Sequence, residues 1–130
     1  MRRIITFGTF DVYHVGHVNI LERAKELGNY LIVGVSTDAL NFEKKNRYPI
    51  FTEQQRLQMV ATTYCVDEVF LEESLEKKGH YIEKYSADIL VMGNDWADKF
   101  DHLSNLCKVI YLPRTEGIST SEILRIIRKR

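Results

Sequence analysis

The chain has 130 residues, and its 18 lysines and arginines balance 18 aspartates and glutamates. Zero formal charge excludes recognition driven by bulk attraction to nucleic acid or an anionic membrane, and the length fits one domain over residues 1–130. No apolar run approaches membrane-spanning length, Arg2-Arg3 lead into a strand rather than a signal-peptide core, and Cys65 and Cys107 have no C-x-x-C spacing, so the expectation is a cytoplasmic protein with reduced thiols.

Ile4, Ile5 and Phe7 form the β-branched and aromatic run of a buried parallel strand, which Gly8 ends. From His17 to Leu27, apolar Val18, Leu21, Ala24 and Leu27 make one helical stripe, and Gly28 follows where a helix C-terminal glycine is expected. The segment between, GTFDVYHVGH, therefore joins a strand's carboxyl end to a helix's amino end, the edge at which ligands bind in open α/β sheets. Helical N–H groups there suit a phosphate, and Gly16 lets the backbone approach it. His14 and His17 can donate to phosphoryl oxygens, and imidazoles with near-neutral pKa values can follow developing charge. The same pair could merely satisfy turn carbonyls or bind zinc; only His80 and His102 remain as further histidines, and no metal ligands are assigned.

Tyr30–Val35 reads as a second buried strand, closing at Ser36-Thr37-Asp38. Asn41–Tyr48 has no apolar period and reads as a loop whose Lys44, Lys45 and Arg47 are either a solvated face or a flexible flap carrying positive charge to phosphates. Thr52 and Gln55 form a capping box for a helix that buries Leu57, Val60 and Ala61. A third strand spans Val66–Leu71, a helix Leu75–Tyr85, a fourth strand Ile89–Met92 and a fifth Val109–Leu112. Ser119 and Glu122 form a second capping box, opening a helix through Ile123, Leu124, Ile126 and Ile127. Its free N–H groups, the Ser119 and Thr120 hydroxyls and the Arg114 guanidinium compose a second phosphate cradle; the alternative is an ordinary cap beside a surface arginine. The alternation predicts an α/β fold: a single-domain, Rossmann-like parallel sheet with helices on both faces. Neither G-x-G-x-x-G nor the P-loop is present.

The combination G-T-F-D-x-x-H-x-G-H at Gly8–His17 with R-T-E-G-I-S-T-S at Arg114–Ser121 resembles the small cytidylyltransferases of the H-x-G-H nucleotidyltransferase superfamily. Within them the likeness is to the branch that serves teichoic acid synthesis, and it extends through ERAKELGNYLIVGVSTD, VDEV and VMGNDW. The resemblance implies transfer of a cytidylyl group from CTP to sn-glycerol 3-phosphate, a homodimer, and Mg²⁺ carried in by CTP. It implies that Thr9, Phe10, Asp11, His14, Gly16 and His17, with Arg114, Thr115, Glu116, Gly117, Ile118, Ser119 and Thr120, bind the nucleotide. It further implies that Lys44 and Lys78 bind the acceptor, that His14, His17, Lys44 and Arg114 carry catalysis, and that Asp11 holds the loop or assists a metal. Asp38 and Arg56 match recurrent positions whose role the sequence leaves open.

The chain departs from the family pattern at Asn94, at Leu75, where tryptophan is frequent, and in a flap around Pro49 one residue longer than usual, which leaves Arg47 without a clear counterpart. These departures bear on the acceptor, so ribitol 5-phosphate, phosphocholine and phosphoethanolamine stand as alternatives. An adenylyltransferase and a non-catalytic CTP-binding module are the further alternatives.

Overall fold

The computed structural model describes residues 1–130. Five parallel strands, β1 (Arg3–Gly8), β2 (Tyr30–Ser36), β3 (Glu68–Glu72), β4 (Ile89–Gly93) and β5 (Lys108–Leu112), form one sheet in the order β3-β2-β1-β4-β5. The order reverses on either side of β1. Ile4 pairs with Leu31 on one side and Ile89 on the other. Because all five strands run the same way, Gly8, Ser36, Glu72, Gly93 and Leu112 end at one edge.

Side chains alternate across the sheet and build two cores. Ile4, Leu31, Val33, Val35, Ile89 and Val91 face one side with Leu21 and Ala24 of helix α1 (Val15–Glu26) and Val60 of α3 (Glu53–Ala61). Ile5, Phe7, Ile32, Leu90 and Met92 face the other, with Tyr81 and Ile82 of α4 (Lys78–Lys84) and with Phe100 and Leu103. Helices thus cover both faces, as the alternating pattern predicts.

Four local expectations change. Residues Asp38–Lys45 are a helix, α2, and not a loop: Thr37 caps it by accepting from the Leu40 amide at 3.1 Å, and Asn46 ends it in the left-handed region at φ 57°. The expected helix Leu75–Tyr85 is split into a 3₁₀ turn, Leu75–Lys77, followed by α4. Ala61 is exposed, and the residue buried in its place is Arg56. Gly28 does not take a left-handed cap conformation; a Cβ there would lie 2.6 Å from the Arg2 carbonyl oxygen, so close approach of the chain to β1 requires glycine. Cys65 and Cys107 are both free thiols.

Candidate functional site

Between β1 and α1 the chain turns through two residues in the left-handed region, Phe10 (φ 55°) and Val12 (φ 49°). For a β-branched valine this is a strained conformation of the kind found at functional turns. Three anchors hold it. The Arg56 guanidinium donates to the Thr9 carbonyl at 2.9 Å, the Thr9 hydroxyl donates to Asn41 Oδ1 at 2.8 Å, and the Thr120 hydroxyl donates to the Asp11 carbonyl at 2.8 Å.

His14 is the N-cap of α1, and the helix begins at Val15, two residues earlier than the apolar stripe suggests. The Gly16 amide donates to His14 Nδ1 at 3.0 Å, and the His14 amide donates to His17 Nδ1 at 3.1 Å, making a capping box from two imidazoles. With each Nδ1 acting as acceptor, each ring carries its proton on Nε2. The rings stack at 3.8 Å between centroids. A Cβ on Gly16 would come within 2.8 Å of the His14 ring, so glycine here makes room for the imidazole as well as for a ligand.

Burial, then His14, then Arg114 push the His17 pKa down to about 3, and burial pushes His14 down as well. The near-neutral value expected from residue type therefore does not hold for His17, and His14 is shifted in the same direction. Both rings stay neutral at physiological pH, each presenting a fixed N–H donor.

The Arg114–Thr120 segment lies over this turn. Asn19 of α1 donates to the Thr115 hydroxyl at 3.1 Å, and Ile118 lies against Gly16. Arg114 is mostly exposed and pairs with Asp95 at 3.0 Å. Gly117 turns the chain at φ 80°, next to exposed Glu116. Ser119 caps α5 (Thr120–Lys129) by accepting from the Glu122 amide at 3.1 Å, but the Glu122 carboxylate turns to Arg125, so the expected second capping box is only half formed. The Thr120 proton is committed to Asp11, which leaves the Ser119 hydroxyl and the helix N–H groups as that cradle's donors.

Other expected site residues have different placements. Phe10 is 6 % exposed and packs beneath His17, with ring centroids 5.5 Å apart, so only its backbone can line a ligand. Asp11 holds the loop: its two oxygens accept from the Ile50 amide at 2.7 Å and the Phe51 amide at 2.9 Å. The loop of residues 46–52, which takes in the end of the expected flap, is thus tied to the histidine turn. Lys44, in the last turn of α2, is half-buried, and burial lowers its pKa. Lys78 is only 3 % exposed and pairs with Glu72.

Arg56 and Asp38 acquire a clear role. Arg56, 1 % exposed, donates to Asp38 Oδ1 at 2.7 Å and to the Phe51, Thr9 and Ser36 carbonyls, joining the loop, the turn and the end of β2. Sequence reasoning placed Ser36 at a strand's carboxyl end without giving it a role, and missed Asn19, Asn41, Asp95 and Glu72. Of these, Glu72 carried the same readable signal, a polar residue at a strand's carboxyl end. His80 and His102 are exposed outside this arrangement.

Residues 5–126 match the family model described as cytidylyltransferase-like. Over 123 residues the chain is 48 % identical to the glycerol-3-phosphate cytidylyltransferase of Bacillus subtilis (strain 168), covering 95 % of each chain. It is 46 % identical to the protein of the same name from Staphylococcus aureus (strain NCTC 8325 / PS 47), covering 95 % of this chain and 92 % of that one. Among solved structures, the lipopolysaccharide core biosynthesis protein from Thermoplasma volcanium GSS1 superposes with a TM-score of 0.77 at 26 % identity, over 89 % of this chain and 99 % of that one.

Proposed function

The chain belongs to the cytidylyltransferase-like family, and on that premise we propose that it transfers the cytidylyl group of CTP to sn-glycerol 3-phosphate, giving CDP-glycerol and pyrophosphate. The observation that carries the chemistry is the pair of neutral imidazoles whose Nδ1 atoms cap their own helix and whose Nε2 protons remain free for phosphoryl oxygens.

A phosphate oxygen of the acceptor attacks the α-phosphorus in line, and the bond to the oxygen bridging to the β-phosphorus breaks as pyrophosphate leaves. The acceptor oxygen is already ionised, so the protein needs no general base and contributes position and charge stabilisation. His14 and His17 donate to the crowded α-phosphoryl group and the bridging oxygen. Arg114 pairs with the triphosphate, and the amino end of α5 with Ser119 closes over it. Lys44 and Lys78 take the acceptor phosphate.

Mg²⁺ rides in on the triphosphate. Nowhere do three His, Cys, Asp or Glu side chains gather to hold an ion; Asp11 commits both oxygens to amides, and Asp95 faces Arg114. Carried with CTP, Mg²⁺ would supply charge neutralisation to the triphosphate. We also assign a homodimer, supported by half-exposed Phe51 and Met59 beside an apolar groove of about 440 Å³. No helix is long and apolar enough to cross a membrane, and a cytoplasmic site of action fits a CTP-dependent step.

Pyrophosphate release with CTP and Mg²⁺ tests the reading, with sn-glycerol 3-phosphate compared against ribitol 5-phosphate, phosphocholine and phosphoethanolamine, and with ATP in place of CTP. CTP-selective turnover with glycerol 3-phosphate is expected. Turnover with another acceptor alone would move the substrate and keep the chemistry, whereas CTP binding without release from any acceptor would overturn catalysis.

A further inference from the structure

We infer that Glu72 is a positioning residue at the acceptor end of the site, holding the Lys78 ammonium in place so that Lys78 and Lys44 receive the acceptor phosphate together. The inference rests on the proposed acceptor reading of the two lysines and adds a residue to it.

Glu72 ends β3 at the sheet's ligand-binding edge, and Lys78 opens α4 six positions later. Their side chains form an ion pair 1 % and 3 % exposed. The ammonium also lies 4.1 Å from the centre of the Phe7 ring and 5.3 Å from that of Phe100. The Glu72 backbone is held in turn, its carbonyl accepting at 3.0 Å from the amide of Thr37, the residue that caps α2. Lys44 stands in the last turn of the same helix. The Glu72 carboxylate is thus paired with Lys78 of α4, and its backbone is bonded to the cap of α2, the helix that carries Lys44.

A buried ion pair is a poor stabilising device, because desolvating both ions cancels most of their attraction and apolar residues of similar volume pack as well. A functional reason for this pair is available. An ammonium has three N–H donors, and Lys78 commits one, to Glu72. The π faces of Phe7 and Phe100 attract the cation without consuming a directed donor, which leaves N–H groups for an oxyanion.

Two effects of Glu72 compete. Its negative charge repels an arriving phosphate, but it is the group that opposes the burial pushing Lys78 towards the neutral amine. The second effect dominates. A carboxylate in contact with the Lys78 ammonium repels an arriving phosphate weakly, whereas without it Lys78 would lose both its ion-pair anchor and the charge that favours its ammonium form.

The test is steady-state kinetics on Glu72→Gln, Glu72→Asp, Lys44→Met, Lys78→Met and the double variant Glu72→Gln/Lys78→Met, with melting temperatures for each. In Glu72→Gln the KM for sn-glycerol 3-phosphate should rise about tenfold or more while the KM for CTP stays within about twofold. Glu72→Asp, which keeps the charge, should recover most of the loss. The double variant, free of an unpaired buried charge, should have the acceptor KM of Lys78→Met alone. An unchanged acceptor KM in Glu72→Gln, when Lys78→Met raises it, overturns the inference, as do effects of the two substitutions that simply multiply. A lowered melting temperature with both KM values equally affected would reduce Glu72 to a structural residue and likewise overturn it. If Lys44→Met and Lys78→Met both leave the acceptor KM unchanged, the acceptor reading itself is what fails.

Discussion

A histidine that caps a helix gives its Nδ1 lone pair to a backbone amide, and this decides what its other nitrogen can do. His14 and His17 are both in that position, so each is locked as a neutral Nε2–H donor rather than a proton shuttle. Capping and chemistry can be separated by substitution. In His14→Asn, asparagine is among the best N-caps, so stability should change by less than about 1 kcal/mol. Turnover should nevertheless fall about 10²- to 10³-fold, the loss expected when one transition-state donor is removed. Thermal melts and pyrophosphate release on one preparation check both outcomes, and near-normal turnover would remove His14 from the mechanism.

His17 adds a pH signature. Its folded pKa of about 3 lies below the ordinary histidine value of 6.5, so the unfolded chain binds the extra proton between those values. The stability associated with a neutral His17 is present above pH 6.5 and is lost as the pH falls towards 3. Melting temperature should decline through that window. His17→Gln keeps the reach back to the N-cap amide and should show a shallower decline. Parallel profiles for the two proteins would contradict the assignment.

At the scale of elements, what could be read from the sequence depended on whether the signal was local. Strand cores such as YLIVGV and ILVM are continuous apolar runs, and all five strands lie within two residues of the expected bounds. Helix α2 was hidden because it is eight residues long and polar on most sides, and its cap, Thr37, follows a strand end directly. The His14 cap was hidden because imidazole is not among the usual capping side chains. The burial of Lys78 and its pairing with Glu72 could not be read, since a pattern of charges does not reveal that two aromatic rings close over them.

Asp11 acts on a whole segment. Both carboxylate oxygens anchor Ile50 and Phe51, so Asp11→Ala should free those amides and let residues 46–52 move. Hydrogen exchange at Ile50 and Phe51 should accelerate, while amides in β1 and β2 keep their protection. The CTP KM should rise, because the histidine turn loses its tie to the loop. Exchange at Ile50 and Phe51 equal to that of the parent protein would show that the carboxylate is not the latch.

For the whole molecule, the sheet order brings the strand ends that carry the histidine turn to one edge, and helices cover both faces. The first core is covered by α1 and α3, yet Met59 of α3 and Phe51 before it remain 48 % and 44 % exposed, beside a groove lined by Phe10, Val12, Tyr13 and Arg56. Isolated exposed apolar residues are ordinary, but a cluster bordering an apolar groove is the kind of surface that supports the proposed dimer. A self-complementary interface needs about 800 Å² from each partner, roughly a tenth of the 7592 Å² that this chain exposes. Sedimentation velocity at micromolar concentration should therefore give twice the 15.2 kDa chain mass. Met59→Lys places one charge from each copy in the apolar contact and should shift the protein towards the single-chain mass. Met59 is not among the groups proposed to bind CTP or the acceptor, so any loss of turnover in that variant should track the loss of dimer as concentration is lowered. A parent protein that sediments as a single chain and keeps full activity would remove the dimer from the proposal.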